Sequence, residues 1–144
     1  MKAKIKLLIG GKALQKLGSS RTTSDTDYLV NDTSNSDMFI FDTANNIDYC
    51  NANGSKFFTE IWKMEKDNET GIASPQALLE LKAYSFVQHC QNFNFQKADD
   101  AEYDIKFLVR KFNLKSLKIA SKFLANGELS IVEKIINSTK IADN

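Results

Sequence analysis

"LIGGKALQKLGSSRTTSDTDYLV", residues 8–30, decides how this chain is read. An apolar run stops at Gly10-Gly11. Further on, Asp25 and Asp27 stand one residue apart, just ahead of Tyr28, Leu29 and Val30. Carboxylates are depleted from strands, and like charges on one face repel. Side chains alternate along a strand, so a strand over 25–30 would send both aspartates out of the same face. Two carboxylates about 4 Å apart repel by roughly 4 kcal/mol at an intermediate effective dielectric. A hard divalent cation, Mg²⁺ or Mn²⁺, reverses that sign. Mg²⁺ takes oxygen ligands and is commonly held by one or two carboxylates plus substrate phosphates. A third carboxylate from a neighbouring strand would complete a two-metal site able to clamp both oxygens of an in-line displacement. Asp48, in Ile47-Asp48-Tyr49, is the first candidate and Asp42 the second. Gly10 and Gly11 would let the backbone approach a phosphate, with a helix N-terminus adding positive potential.

Around this stretch the chain has 144 residues, 42% hydrophobic content and a net charge of +1, which suits one domain with a real core. The average charge hides a strong separation. Residues 22–55 contain six aspartates and no Lys or Arg, whereas residues 105–127 contain six cations and no acid. An electronegative site and a basic surface are the expectation. Cys50 and Cys90 lack metal-type spacing and read as reduced thiols. The opening "MKAKIKLLIGG" is too short in apolar length for a secretory core, and no later segment reaches spanning length. These features point to a cytoplasmic protein without a membrane partner.

The pattern predicts an α/β (α+β) fold: a small mixed sheet flanked by helices, then a helical C-terminal half. A single domain over 1–144 would divide into a sheet-containing half, 1–70, and a helical half, 71–144. Residues 4–9 read as a short strand or the end of an incoming helix, and 12–17 as a short helix opened by the glycines. Strands are expected over 25–30, 38–42 and 47–50, the last two around a "TANN" hairpin turn. Residues 53–66 read as a helix burying Phe57, Phe58, Ile61, Trp62 and Met64. Ser74-Pro75 is a helix start, with a capping hydroxyl and a proline where no amide partner is needed. That helix would run to His89, with Leu78, Leu81, Lys82, Ser85 and Phe86 at three-and-four spacing. Further helices are expected over 100–112, 115–125 and 130–136.

The order and spacing of these pieces resemble the nucleotidyltransferase fold of the DNA polymerase beta superfamily. Within it, the chain is similar to the bacterial branch of abortive-infection and type IV toxin–antitoxin nucleotidyltransferases. Ile9-Gly10-Gly11 followed by Asp25-Thr26-Asp27 fits that branch's first motif, and Arg21, Thr23, Asp25 and Asp27 fit its R-x-T-x-D-x-D variant. Ile47-Asp48-Tyr49 fits the second motif, Leu78-Leu79-Glu80-Leu81-Lys82 the third, and Lys97 to Leu108, with Asp104-Ile105, the fourth. The resemblance covers residues 5–112. It implies transfer of a nucleoside monophosphate from an NTP to an acceptor hydroxyl on RNA, tRNA, protein or a small molecule, with a cognate toxin or antitoxin as partner. Asp25, Asp27 and Asp48 would hold metal, and Asp48 would activate the acceptor. Gly10, Gly11, Arg21 and Thr23 would line the triphosphate. Lys82 would pair with phosphate, and Asp104 would orient Lys82 or a nucleotide group. The serine usual after the first glycine is Gly11 here, so Ser19 or Ser20 would have to supply its hydroxyl.

Blander readings stand beside these. A lone D-x-D is usually a solvated turn, since exposed aspartates are the rule. Lys82 would be a snorkelling lysine, and Asp104 a partner of Lys97 or Arg110. His89 would be satisfied or paired with a helix dipole, and Phe57, Phe58 and Trp62 would be core. The basic run is a solvated face or a track for nucleic acid. A catalytically degenerate nucleotide-binding or partner-binding module is the alternative function, and a plain structural domain the third.

Overall fold

The structure, a computed structural model, describes residues 6–142, so the predictions for Lys4 and Ile5 lie outside the described residues. It is a mixed α/β fold with a helical C-terminal half, as the pattern predicts. The chain divides between Ala77 and Leu78 into two compact units.

The first unit is built on four strands: β1 (Lys6–Ile9), β2 (Thr26–Val30), β3 (Phe39–Asp42) and β4 (Ile47–Asn51). Their order in the sheet is β1-β2-β4-β3. β2 runs antiparallel to β1 and parallel to β4, and β3 closes the edge as the hairpin partner of β4. Beyond β1, Leu8 also pairs with Ile72, through Leu8 N–H to Gly71 C=O and Ala73 N–H to Leu8 C=O. Register sorts the side chains. Leu7, Ile9, Asp27, Leu29, Asp48, Cys50, Phe39 and Phe41 leave one face; Tyr28, Tyr49, Ile47 and Asp42 leave the other.

Helix α1 (Gly10–Lys16) follows β1 without a break, so the glycines form its first turn rather than a turn before it. Helix α2 (Lys56–Met64) is shorter than expected because a 3-10 turn over Ala52–Gly54 precedes it, and the Ser55 hydroxyl caps Phe58 N–H at 3.3 Å. Phe57, Phe58 and Ile61 are buried, while Trp62 and Met64 are only partly covered. The Phe58 ring meets Phe39 at 5.9 Å, which puts α2 on the face that carries Leu29 and the aspartates. Asn51, fully buried, pins the turn between β2 and β3. Its amide accepts from Asp32 N–H at 2.8 Å and donates to Asn35 and Asp37 carbonyls at 2.9 and 3.0 Å.

Helix α3 (Pro75–Gln91) starts where proline and the Ser74 cap predict, with Ala77 N–H donating to Ser74 Oγ at 3.2 Å. Its inward face differs from the expectation. Leu78, Leu79, Glu80, Ala83, Phe86 and Val87 are buried, whereas Leu81, Lys82 and Ser85 are half-buried. Helix α4 (Phe95–Phe112) begins five residues earlier than predicted, at an Asn94 cap, and ends at Asn113 in the left-handed region. Ile105, Leu108 and Val109 face inward as expected.

No helix forms over 115–125 beyond a 3-10 turn at Ala120–Lys122. The reason is a contact distant in sequence. The buried Glu80 carboxylate accepts from the amides of Lys118, Ile119 and Ala120 at 2.8, 3.0 and 2.8 Å, holding that backbone in a non-helical path. Helix α5 (Asn126–Ala142) then starts before Ser130, because Glu128 reaches back to Ala125 N–H at 3.0 Å and makes Gly127 part of a capped first turn.

Candidate functional site

In the first unit, Asp27 and Asp48 are direct partners across the parallel β2–β4 ladder. Neighbouring strands lie about 4.8 Å apart, so the two carboxylates leave the same face side by side. Leu29 and Cys50 follow them on that face. Burial pushes the Cys50 thiol up to about 12, helped by the negative charges of Asp27 and then Asp48. Asp42 is the wrong third carboxylate. It pairs with Ile47, leaves the opposite face, and accepts from Asn45 N–H at 3.3 Å and Asn45 Nδ2 at 2.9 Å, which makes it a turn residue. The expected strand begins one residue late. Asp25 precedes β2 and is exposed, its amide donating to Thr23 Oγ1 at 3.4 Å. Convergence of Asp25 with Asp27 is therefore not built in by strand alternation.

The glycines meet this pair at the end of β1. Ile9 is the partner of Asp27 across the β1–β2 ladder, which brings the following residue to the Asp27 carboxyl. A Cβ on Gly10 would collide with Asp27 Oδ2, and its φ of +69° is one that side chains resist. Gly11 is excluded from bearing a side chain for a different reason. A Cβ there would lie 2.5 Å from Thr23 Cγ2 and 3.3 Å from an Arg21 guanidinium nitrogen. The space that the usual serine needs is thus filled by the 21–23 loop. Ser19 Oγ accepts from Arg21 N–H at 3.3 Å, and Ser20 is exposed. Gln15 Nε2 also holds the Arg21 carbonyl, at 3.3 Å.

Among the described residues, no three His, Cys, Asp or Glu side chains gather as a metal-holding group. A divalent cation bound mostly through phosphate and water asks for fewer protein ligands. Two in-register carboxylates beside a glycine that a side chain would push away fit that mode of binding.

In the second unit, Lys82 Nζ lies 3.0 Å from Asp104 Oδ2, with 17% and 1% of the side chains exposed. The resemblance orients Lys82 by Asp104, and the two are an ion pair linking α3 to α4. His89 is held below its usual range first by burial and then by the positive charges of Lys97 and Lys82, against an opposing pull from Asp100. A dipole-paired imidazolium would have moved the other way. Glu80 escaped the sequence reading. A carboxylate set among leucines in "LLELK" is the signal the sequence offers, since a buried charge demands partners. Among the described residues, no helix is long and apolar enough to cross a membrane. Comparison of the chain with protein-family models, curated proteins and solved structures finds no match to any of them.

Proposed function

We propose that this protein is a Mg²⁺-dependent nucleotidyltransferase of the polymerase beta type, moving a nucleoside monophosphate from an NTP to an acceptor hydroxyl. The observation that carries the reading is the in-register pairing of Asp27 with Asp48, packed against Gly10. Asp27 and Asp48 would hold the cation, and Asp25 would join them from the end of its loop. The cation supplies charge neutralisation for the triphosphate. The acceptor oxygen attacks the α-phosphorus, its proton passes to Asp48, and the bond to the β-phosphate breaks to release pyrophosphate. Positioning and electrostatics do most of such work. For Lys82 and Asp104, Arg21 and Thr23, the triphosphate role is supported by the motifs. A toxin–antitoxin or phage-defence setting, in the cytoplasm, follows from the same resemblance.

Label transfer tests this directly. Protein, Mg²⁺ and each labelled NTP are incubated with total RNA and with total protein. We expect one acceptor class to take up label, and Asp27→Asn or Asp48→Asn to lower the rate by about a hundredfold or more, typical of losing a major electrostatic contributor. No transfer by the wild type to any acceptor would defeat the enzyme reading.

A second reading is favoured by the packing of Thr23 into the space above Gly11. There the chain binds an NTP or a partner such as an antitoxin without turnover. Calorimetric NTP binding with no pyrophosphate release would select it.

A further inference from the structure

Tyr103, Lys106, Phe107, Arg110 and Lys111 recur at helical spacing along α4 and line an open groove of about 320 Å³. They lie on the side of α4 opposite its buried stripe of Ala101, Ile105, Leu108 and Val109. The face combines two chemistries. Tyr103 is 47% exposed, and Lys111 Nζ stands 5.8 Å from the centroid of the Phe107 ring. The three cations of this face are Lys106, Arg110 and Lys111, and the acids Asp99, Asp100 and Glu102 lie toward the N-terminal end of the helix, Glu102 engaged with Lys106 at 2.9 Å. No acid occurs downstream until Glu128, and Lys115, Lys118 and Lys122 continue the positive charge. Rings flanked by cations at one-turn intervals match alternating bases and phosphates, since every base offers a π-face and every linkage a charge.

We propose that this face of α4 binds a single-stranded polynucleotide, with bases against Tyr103 and Phe107 and phosphates against Lys106, Arg110 and Lys111. Binding of this kind needs neither NTP nor metal, so it stands or falls apart from the transfer reaction. A duplex hides its base faces and offers only backbone charge. An acidic protein offers charge without stacking.

The test is fluorescence anisotropy in EDTA with a labelled RNA of about twelve nucleotides, the same sequence as DNA, and the corresponding duplex, across about 50–200 mM salt. Either single strand should bind about tenfold more tightly than the duplex; preference for RNA would add a 2′-hydroxyl contact, and equal affinity would leave bases and phosphates as the whole site. Lys106→Gln/Arg110→Gln/Lys111→Gln should weaken binding and reduce the log–log salt slope by about 2. Tyr103→Leu/Phe107→Leu, which keeps apolar volume, should weaken binding about tenfold with the slope unchanged. Lys56→Gln/Lys63→Gln/Lys66→Gln, an equal charge loss on exposed lysines of the first unit, should leave affinity within about twofold. Duplex binding as tight as single-strand binding would overturn the proposal. So would displacement by polyglutamate as effective as by polynucleotide, or equal weakening by both lysine-containing triples.

Discussion

Thr23 decides what Gly11 can be. Its methyl occupies the space a Cβ would need, so the glycine is a packing requirement as well as a departure from the motif the chain resembles. Gly11→Ser should destabilise the fold by about 1–3 kcal/mol, as overpacking does, and Thr23→Ser in the same chain should recover part of the loss. Thermal or denaturant unfolding of the single and double variants measures it. Gly10 is under a separate constraint, its left-handed φ and the adjacent Asp27 carboxyl. Cys50 gives a pH signature. Its folded pKa is raised from 9.0 to about 12, so the folded state keeps a proton that the unfolded chain loses. The stability this represents is complete below pH 9 and is lost as pH rises toward 12. Cys50→Ala should therefore flatten the alkaline fall in unfolding free energy measured from pH 8 to 10.5. His89 moves the other way. Its imidazole resonances should titrate below the ordinary 6.5, and Lys97→Gln should raise the midpoint.

At the scale of elements, a buried carboxylate replaces a helix. Glu80 satisfies three amides of the 118–120 backbone, and Glu80→Ala would leave those donors buried without it. A loss of about 3 kcal/mol or more is expected, with Glu80→Gln milder because one oxygen still accepts; denaturant unfolding reads both. The Lys82–Asp104 pair separates structure from chemistry. Breaking a buried pair by Asp104→Ala should cost about 3–5 kcal/mol, whereas Lys82→Met/Asp104→Leu should restore much of that stability. If Lys82 serves the triphosphate, the stable double variant remains inactive.

The same elements show what local sequence can carry. Strand placement in the first unit was legible because turn residues and alternation agree: β3 and β4 fall within one residue of the expectation, and the Ser74-Pro75 start is met by its cap. The pairing of Asp27 with Asp48 needed a register that no local pattern contains. The loss of the expected helix over 115–125 depends on Glu80, nearly forty residues earlier in the chain. The inward face of α3 departs from simple three-and-four spacing because it includes Glu80, whose burial depends on amides far along the chain. The rejection of Asp42 likewise required knowing that it faces away from Asp27 and holds Asn45 in a turn.

For the whole molecule, the separation of charge seen in the sequence falls on different units. The acid-rich stretch, 22–55, belongs to the first, where Asp32 and Asp42 hold turns and Asp27 and Asp48 share a sheet face. The basic stretch, 105–127, belongs to the second and includes the outer face of α4. The proposed sites would give each stretch its own ligand: a cation between the like charges of Asp27 and Asp48, and a polynucleotide on the basic face. The proposed reaction requires Asp27 and Asp48 to hold a divalent cation jointly with an NTP. Mn²⁺ paramagnetic resonance, titrating protein into Mn²⁺ with a non-hydrolysable NTP, measures this without an acceptor. Wild-type protein should deplete the free Mn²⁺ signal beyond what the nucleotide does alone, and Asp27→Asn/Asp48→Asn should abolish that extra depletion while remaining folded. Equal depletion by wild type and the double variant, or none by either, would contradict the account.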